Sequence, residues 1–253
     1  MRSSRSPIAT AIGLDLAWSP RHETGVAAAR VTDGCIEVVA TGLKRSTDEI
    51  VAFVRQHGEG PVTIAIDAPT VVPNPTGMRE CERILHKRFG GNGVAPYPGN
   101  RTLLGRANGG RPRGEELVAA LGAADIGIPP ARHTGVYAME VFPAPALLIL
   151  FRLDRGLRYK KKRRIDWASC RAGLAEYLRM LQVLRGSALK WEDTPRLGSE
   201  KGIAYKGIED QVDAVLCAYL AGLAWLRGEE ALEMVGTAQQ GYIVLPRQAR
   251  MQR

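Results

Sequence analysis

Residues 8–18, IATAIGLDLAW, and residues 61–70, PVTIAIDAPT, are two apolar runs, each interrupted by a single aspartate. Continuous apolar runs of this length are typical of strands that are buried on both faces, as in parallel sheets. Prolines at positions 69, 73 and 75 end the second run. The sequence therefore predicts two buried strands, and neighbouring parallel strands would bring Asp15 and Asp67 side by side.

The segments around these runs predict further strands and helices. A hairpin is expected over residues 25–43 because Asp33-Gly34 separates two β-prone runs. Thr47 is the expected N-cap of the first helix. Residues 89–114, rich in glycine, proline and arginine, predict a loop. The other expected elements are helices over 47–57, 78–88, 115–124, 166–184 and 209–228 (with Gly228 as C-cap), a buried strand over 136–143 and a short edge strand over 241–246.

This order of elements predicts an α/β fold with a mixed sheet flanked by helices and with inserted loops. The 253 residues, 45% of them hydrophobic, suit one domain over residues 8–246, with flexible termini at 1–7 and 247–253. The most apolar stretch, residues 136–151, contains Glu140 and two prolines. A membrane span needs about 20 uninterrupted apolar residues, so no membrane partner is expected.

Charge and cysteine usage narrow the functional classes. The 35 Lys and Arg residues exceed the 26 Asp and Glu residues, for a net charge of +9. Such an excess favours a polyanionic partner, here nucleic acid, with DNA or RNA left open. The four cysteines form no CxxC pair, so we expect neither a zinc ribbon nor disulfides, and a cytoplasmic location. The oligomeric state is not readable from the sequence.

Acidic residues within buried segments point to a metal site. A charge inside a buried strand is costly unless it is paired or bound to metal, and this pattern occurs at Asp15, Asp67 and Glu140. Asp210 and Asp213 share a face of the last helix, where Asp213 is expected at the helix start. Such an oxygen-rich set suits Mg²⁺ or Mn²⁺ better than zinc. Taken singly, each acid could instead be a cap, a turn former, an ion-pair partner or a first-turn acid.

Basic residues near these acids are candidates for substrate binding. We expect Arg79 and Arg83 on one helical face, where they would either contact phosphate or pair internally with Glu80 and Glu82. The loop over 89–114 and the basic tract that begins at Tyr159 either contact a phosphodiester backbone or are solvated. The residues expected to bind substrate there are Tyr97, Arg101, Lys160, Lys161, Lys162 and Arg163.

The motifs IGLDLAW, AIDAPTVVPNPTGMRECER, MEVFPAPAL, EDQVDAVLCAYLA and GYIVLP occur in this order from about Ile8 to Pro246. Their layout resembles the predicted ribonuclease H-like nucleases grouped as domain-of-unknown-function family 429. The resemblance implies a ribonuclease H-like mixed sheet in which the first and fourth strands are adjacent. It also implies a set of acidic site residues, namely Asp15, Asp67, Glu140 and Asp213, with Asp210 as a weaker fifth.

The sequence thus predicts a hydrolase, a metal-dependent nuclease that cleaves phosphodiester bonds with a two-metal carboxylate site. One alternative is a non-catalytic nucleic-acid-binding protein. Another is an ATP-dependent phosphotransferase of the related actin-like and sugar-kinase fold. Against the latter, the first strand is followed by Ala-Trp-Ser-Pro, and the sequence contains no GxxxxGK[ST] motif.

Overall fold

A computed structural model of the protein describes residues 9–184 and 188–248. Its main sheet has seven strands in the order β5-β6-β4-β1-β2-β3-β7, and a separate hairpin pairs β8 with β9. The mixed sheet flanked by helices that the sequence predicts is confirmed. The strands are β1 (Ala9–Asp15), β2 (Thr24–Thr32), β3 (Cys35–Lys44), β4 (Val62–Ile66), β5 (Ala124–Asp125), β6 (Val136–Glu140), β7 (Ala188–Lys190), β8 (Leu232–Thr237) and β9 (Gly241–Pro246).

Seven α-helices lie among the described residues, and two short 3-10 helices follow the second and the last of them. The predicted C-cap Gly228 is confirmed, because its N–H group bonds to the carbonyl of Ala224. The α-helices are α1 (Thr47–His57), α2 (Glu80–Phe89), α3 (Arg101–Ala107), α4 (Arg113–Leu121), α5 (Pro143–Phe151), α6 (Trp167–Gln182) and α7 (Gly202–Arg227).

Strands β1 and β4 lie at the centre of the sheet and run parallel to each other. Their register pairs Leu14 with Ile66, and the N–H group of Asp67 donates to the carbonyl of Leu14 at 2.8 Å. On the other side of β4, Ile66 is paired with Glu140 of the parallel strand β6. The predicted adjacency of the first and fourth strands is therefore confirmed. Asp15 and Asp67 lie next to each other at the carboxyl ends of these two strands.

Helix α7 packs directly on the backbone of β1 and β2. A Cβ atom on Gly13 would lie 1.9 Å from the carbonyl oxygen of Ala214, and one on Gly25 would lie 2.0 Å from that of Asp210. Only glycine permits so close an approach of helix to strand. The opposite face of the sheet, which includes Ile12, is covered by α1 and α4. The glycines thus bring the acids of α7 next to the end of β1.

The expected bounds of α1 are confirmed, but its expected N-cap and the expected start of α7 are wrong. The N-cap of α1 is Ser46 and not Thr47, because the Ser46 side chain accepts from the Glu49 N–H while the Glu49 carboxylate accepts from the Ser46 N–H. Helix α7 begins at Gly202, seven residues before the predicted start at residue 209. The glycine-containing segment GIAYKGI has weak helix propensity, and the buried side chain of Tyr205 anchors it instead. Asp213 therefore lies well inside the helix.

The segment over 89–114 is more ordered than the predicted loop. It contains α3, whose N-cap Asn100 accepts from the N–H group of Leu103. The edge strand predicted at 241–246 is confirmed as β9, whereas its partner β8 was not predicted. The flexible termini predicted at 1–7 and 247–253 lie outside the described residues, apart from Arg247 and Gln248. Within the described part of the chain, no helix combines the length and hydrophobicity needed to traverse a bilayer.

Candidate functional site

A cleft of about 740 Å³ lies at the carboxyl ends of β1, β4 and β6. Asp15, Asp67 and Glu140 all line this cleft. Asp15 and Asp67 are partly exposed, and Glu140 is buried. Ligands of open α/β sheets bind outside the carboxyl ends of the strands, so the three predicted strand acids occupy the position expected of a ligand site.

Asp15 and Asp67 are held in an environment that disfavours their charged forms. Burial raises the pKa of Asp15 to about 6, and Asp210 adds to the effect. Burial and the neighbouring Asp15 raise the pKa of Asp67 well above its usual range. Asp210 is thus close enough to Asp15 to influence its pKa. Two neighbouring carboxylates repel each other, so a proton or a cation between them is favoured.

Helix α7 contributes three buried acids to the same place. One oxygen of Asp213 accepts from the hydroxyl of Tyr159 at 2.9 Å, and the other lies 2.8 Å from Nζ of Lys160. Glu209 lies 3.9 Å from Lys160 Nζ and 3.3 Å from Lys206 Nζ. Lys206 also pairs with Asp210 one helical turn further on. The α7 acids are thus paired with two lysines. We call this cluster, together with Asp15 and Asp67, the cleft floor; Glu209 and both lysines line the cleft, whereas Asp210 and Asp213 are buried and do not line it.

The cleft floor carries an excess of negative charge. Five carboxylates, Asp15, Asp67, Glu209, Asp210 and Asp213, interact with only two lysines, Lys160 and Lys206. When all are ionised, three negative charges have no positive partner. Burial lowers the pKa of Lys160, but the carboxylates of Asp213 and Asp15 outweigh it and raise that pKa well above the usual value. Lys160 therefore remains an ammonium ion.

The donor chemistry of this floor fits a hard divalent cation, since its groups are carboxylate oxygens in negative excess. However, within residues 9–184 and 188–248 no three Asp, Glu, His or Cys side chains form a ready-made metal cage. The acids are paired with ammonium groups instead. Binding of a divalent cation would require those ammonium groups to withdraw.

Glu140 has different partners from the other acids. Its two oxygens accept from the guanidinium of Arg79 at 2.5 and 2.7 Å, and Thr70 N–H donates to one of them. Arg79 also pairs with Glu82 at 2.8 Å. Burial raises the pKa of Glu140 to about 7, although Arg79 opposes the shift. Glu140 thus lines the cleft with the other two strand acids, but Arg79 already binds both of its oxygens.

The two predicted phosphate-binding arginines are both paired within the protein. Arg79 is the N-cap residue of α2, and its side chain is buried, whereas that of Arg83 one turn further on is exposed. Arg83 is exposed and pairs with Glu80 and with the carbonyl of Met78. Internal pairing with Glu80 and Glu82 is thus the arrangement observed, and contact with phosphate stays a prediction.

The remaining predicted binding residues divide into two groups. Tyr97, Lys161 and Lys162 line the cleft with Lys160. Arg101, which pairs with Glu115 at 3.0 Å, and the exposed Arg163 do not line it. Four of the six residues therefore line the cleft, and substrate binding by any of the six stays a prediction.

Three residues of the cleft floor were not recognised as site residues from the sequence. They are Tyr159, Lys206 and Glu209. Lys160 was predicted as a substrate contact, but it lies against Asp213. Continuing the helical period back from Asp213 and Asp210 would have found Lys206, which shares their face. The contact of Tyr159 with Asp213 could be recognised only from the tertiary structure.

A comparison with protein-family models places the chain among known proteins. No curated protein sequence matches it. A family model described as "Protein of unknown function (DUF429)" matches residues 13–239. The match covers most of the chain and includes every acid of the cleft floor. The chain therefore belongs to the DUF429 family of proteins of unknown function.

Proposed function

We propose that the protein is a nuclease, a metal-dependent hydrolase of nucleic-acid phosphodiester bonds. The main support for the proposal is that Asp15 and Asp67 lie side by side at the ends of adjacent parallel strands, next to three acids of α7. This cluster holds more negative charge than its two lysines balance. A buried charge excess of this kind favours a bound cation.

The architecture supports assignment to the ribonuclease H-like fold. The resemblance predicts a mixed sheet in which the first and fourth strands are adjacent, and β1 lies next to β4. Strands β1, β2 and β3 are antiparallel neighbours, whereas β1, β4 and β6 run parallel. We therefore propose a ribonuclease H-like domain, with activity inferred from the site and not from the fold alone.

The residues of the cleft have separable proposed roles. Asp15 and Asp67, with Asp210 and Asp213, would hold Mg²⁺ or Mn²⁺. When bound, such a cation polarises a phosphodiester and lowers the pKa of water. Glu140 is also a predicted ligand, and its pair with Arg79 would fix the end of β6 beside Asp67.

Positive charge at the same cleft supports a nucleic-acid substrate. Arg155, Arg158, Lys161 and Lys162 line it together with the acids. Ammonium and guanidinium groups bind phosphate oxygens and position the backbone of a nucleic acid. The net charge of +9 would add long-range attraction. We retain the expected cytoplasmic location as part of the proposal, and DNA and RNA are both candidate substrates.

A cleavage assay on the full chain tests this function. Labelled single-stranded, duplex, hybrid and branched substrates are incubated with Mg²⁺, Mn²⁺ or EDTA. We expect metal-dependent cleavage that Asp15→Asn reduces at least about 100-fold, since removal of one charge-stabilising group has effects of that order. Asp48→Asn is the matched control, because Asp48 is an exposed residue in the first turn of α1.

Each other outcome assigns a different function. Binding of nucleic acid without cleavage would favour the non-catalytic alternative. Turnover of ATP without cleavage would favour the phosphotransferase. Cleavage that persists in EDTA, or is equal in Asp15→Asn and the wild type, contradicts the proposed mechanism.

A further inference from the structure

An exposed aromatic side chain stands at the cleft beside the acids. Tyr97 is 75% exposed and lines the cleft. Its ring centre lies 6.5 Å from that of Trp18, and the two ring planes are nearly perpendicular at 89°. Trp18 also lines the cleft and follows Asp15 by only three residues. The aromatic pair is therefore close in sequence and space to the proposed catalytic acids.

The segment that carries Tyr97 is anchored on both sides. Before it, the N–H group of Val94 bonds to the carbonyl of Phe89. After it, the N–H group of Gly99 donates to the buried Glu82 carboxylate at 3.0 Å. Tyr97 itself lies between two prolines, Pro96 and Pro98, whose rings fix the backbone φ angle. A backbone segment held in this way loses little conformational freedom when a ligand stacks on Tyr97.

The cleft offers a suitable partner for each part of one nucleotide, the base and the phosphate. Aromatic rings stack on nucleobases of any sequence, and Lys161 and Lys162 supply ammonium groups for phosphate. A volume of about 740 Å³ is in the range of clefts that enclose small molecules. In a duplex the bases are paired and stacked on each other, so a base must be unpaired or extruded before it can stack on such a ring.

We propose that the cleft binds an unpaired nucleotide of a single-stranded nucleic acid, with its base stacked on the exposed face of Tyr97 and its edge towards Trp18. The phosphate then faces Lys161 and Lys162, beside the acids. This proposal rests on the proposed function, because cleavage of the phosphodiester bond is taken from there. The preference for an unpaired nucleotide is inferred separately, from the aromatic pair and the anchoring of its segment. Duplex substrates then react only where a nucleotide is unpaired or extruded.

Fluorescence anisotropy in EDTA tests this choice without any cleavage. The probes are labelled oligothymidine, an abasic strand of the same length and a blunt-ended duplex without unpaired nucleotides. We expect oligothymidine to bind at least about tenfold more tightly than the abasic strand or the duplex, because stacking depends on the base. Tyr97→Ala should weaken oligothymidine binding about 5- to 100-fold, and Tyr97→Phe, which keeps the ring, by less than about twofold.

A surface control and the abasic strand separate stacking from other effects. Leu103→Ala removes an exposed apolar side chain outside the cleft and should leave binding unchanged. Tyr97→Ala and the wild type should bind the abasic strand equally. Equal or absent binding of the three probes, or an unaffected Tyr97→Ala variant, overturns the proposal. Base-dependent binding without cleavage on any substrate would instead overturn the proposed function alone.

Discussion

The ammonium group of Lys160 lies 2.8 Å from one carboxylate oxygen of Asp213, whose other oxygen accepts from Tyr159. The backbone carbonyl of Tyr159 accepts in turn from the hydroxyl of Tyr205 on α7, at 2.6 Å. Two tyrosines thus fasten the segment before Lys160 to the helix that bears Asp213. Lys160 supplies a positive charge to the acids that would bind a cation.

Lys160 and a divalent cation should therefore substitute for each other. Breaking a buried ion pair costs about 3–5 kcal/mol. The side chain of Lys160 is 39% exposed, so we expect Lys160→Met to lower the free energy of unfolding in EDTA by about 1–3 kcal/mol. Mg²⁺ or Mn²⁺ should then raise the Tm of Lys160→Met more than that of the wild type, which differential scanning fluorimetry measures.

Arg163→Met is the control for this exchange, because Arg163 is exposed and does not line the cleft. It should show the wild-type Tm in EDTA and the wild-type response to metal. A metal-induced Tm shift that is equal or smaller in Lys160→Met would show that Lys160 does not occupy the place of the cation.

The raised pKa of Asp15 predicts a pH-dependent difference in stability. Burial raises that pKa from 3.8 to about 6, so between these values the folded protein holds a proton that the unfolded chain has released. The wild type consequently loses stability as the pH rises through this window, whereas Asp15→Asn has no such proton. The stability of Asp15→Asn relative to the wild type should therefore be greater at pH 7 than at pH 4, by about 1–3 kcal/mol.

Urea denaturation in EDTA at the two pH values checks this prediction. The same comparison for Asp48→Asn should give no pH-dependent difference, since Asp48 is exposed. A stability difference for Asp15→Asn that is constant with pH, or that shrinks as the pH rises, is incompatible with a raised pKa at Asp15.

The buried arginine of the cleft should matter far more to stability than its exposed neighbour. Arg79→Met leaves Glu82 and Glu140 buried without their partner, which we expect to cost about 3–5 kcal/mol. Arg83→Met removes the exposed pair with Glu80 and should cost less than about 1 kcal/mol. Urea denaturation of both variants measures the contrast, and similar losses in the two would refute the assignment of a buried network to Arg79.

Because β1 and α7 are in close contact at Gly13, we expect that adding a single methyl group at this position destabilises the protein. A Cβ atom on Gly13 would lie 1.9 Å from a backbone oxygen of α7, which has no flexible side chain to move aside. We expect Gly13→Ala to lower stability by about 3 kcal/mol or more. In the same sheet, a Cβ on Gly42 would lie 3.8 Å from its nearest neighbour, a side-chain methyl of Val26. Thermal unfolding should therefore show a much smaller loss for Gly42→Ala, and equal losses would contradict the packing described.

The central strands and their acids were predictable because the relevant pattern is local. An aspartate within a continuous apolar run identifies both the buried strand and the residue that needs a partner, as at Asp15 and Asp67. Parallel pairing of the two strands then brings these residues together, and the structure confirms that adjacency. The fold class followed from the order of such segments.

The partners of the acids were less predictable, because they depend on contacts between residues distant in sequence. Arg79 and Glu140 are separated by 61 residues, and Tyr159 and Asp213 by 54. The first turns of α7 combine glycines with a tyrosine that only tertiary packing buries, so local propensity placed the helix start too late. A basic tract likewise gives no indication that one lysine, Lys160, faces inward.

Direct Mn²⁺ binding, followed by electron paramagnetic resonance of the free ion, tests the central claim that Asp15 and Asp67 form a divalent-cation site. The comparison is between the wild type, Asp67→Asn and the control Asp48→Asn at pH 7.5, above the raised pKa of Asp15. We predict that the wild type and the control bind Mn²⁺ equally and that Asp67→Asn binds it at least about tenfold more weakly, since loss of one ligand charge costs at least about 1.4 kcal/mol. No Mn²⁺ binding by the wild type, or equal binding by Asp67→Asn, would contradict the account.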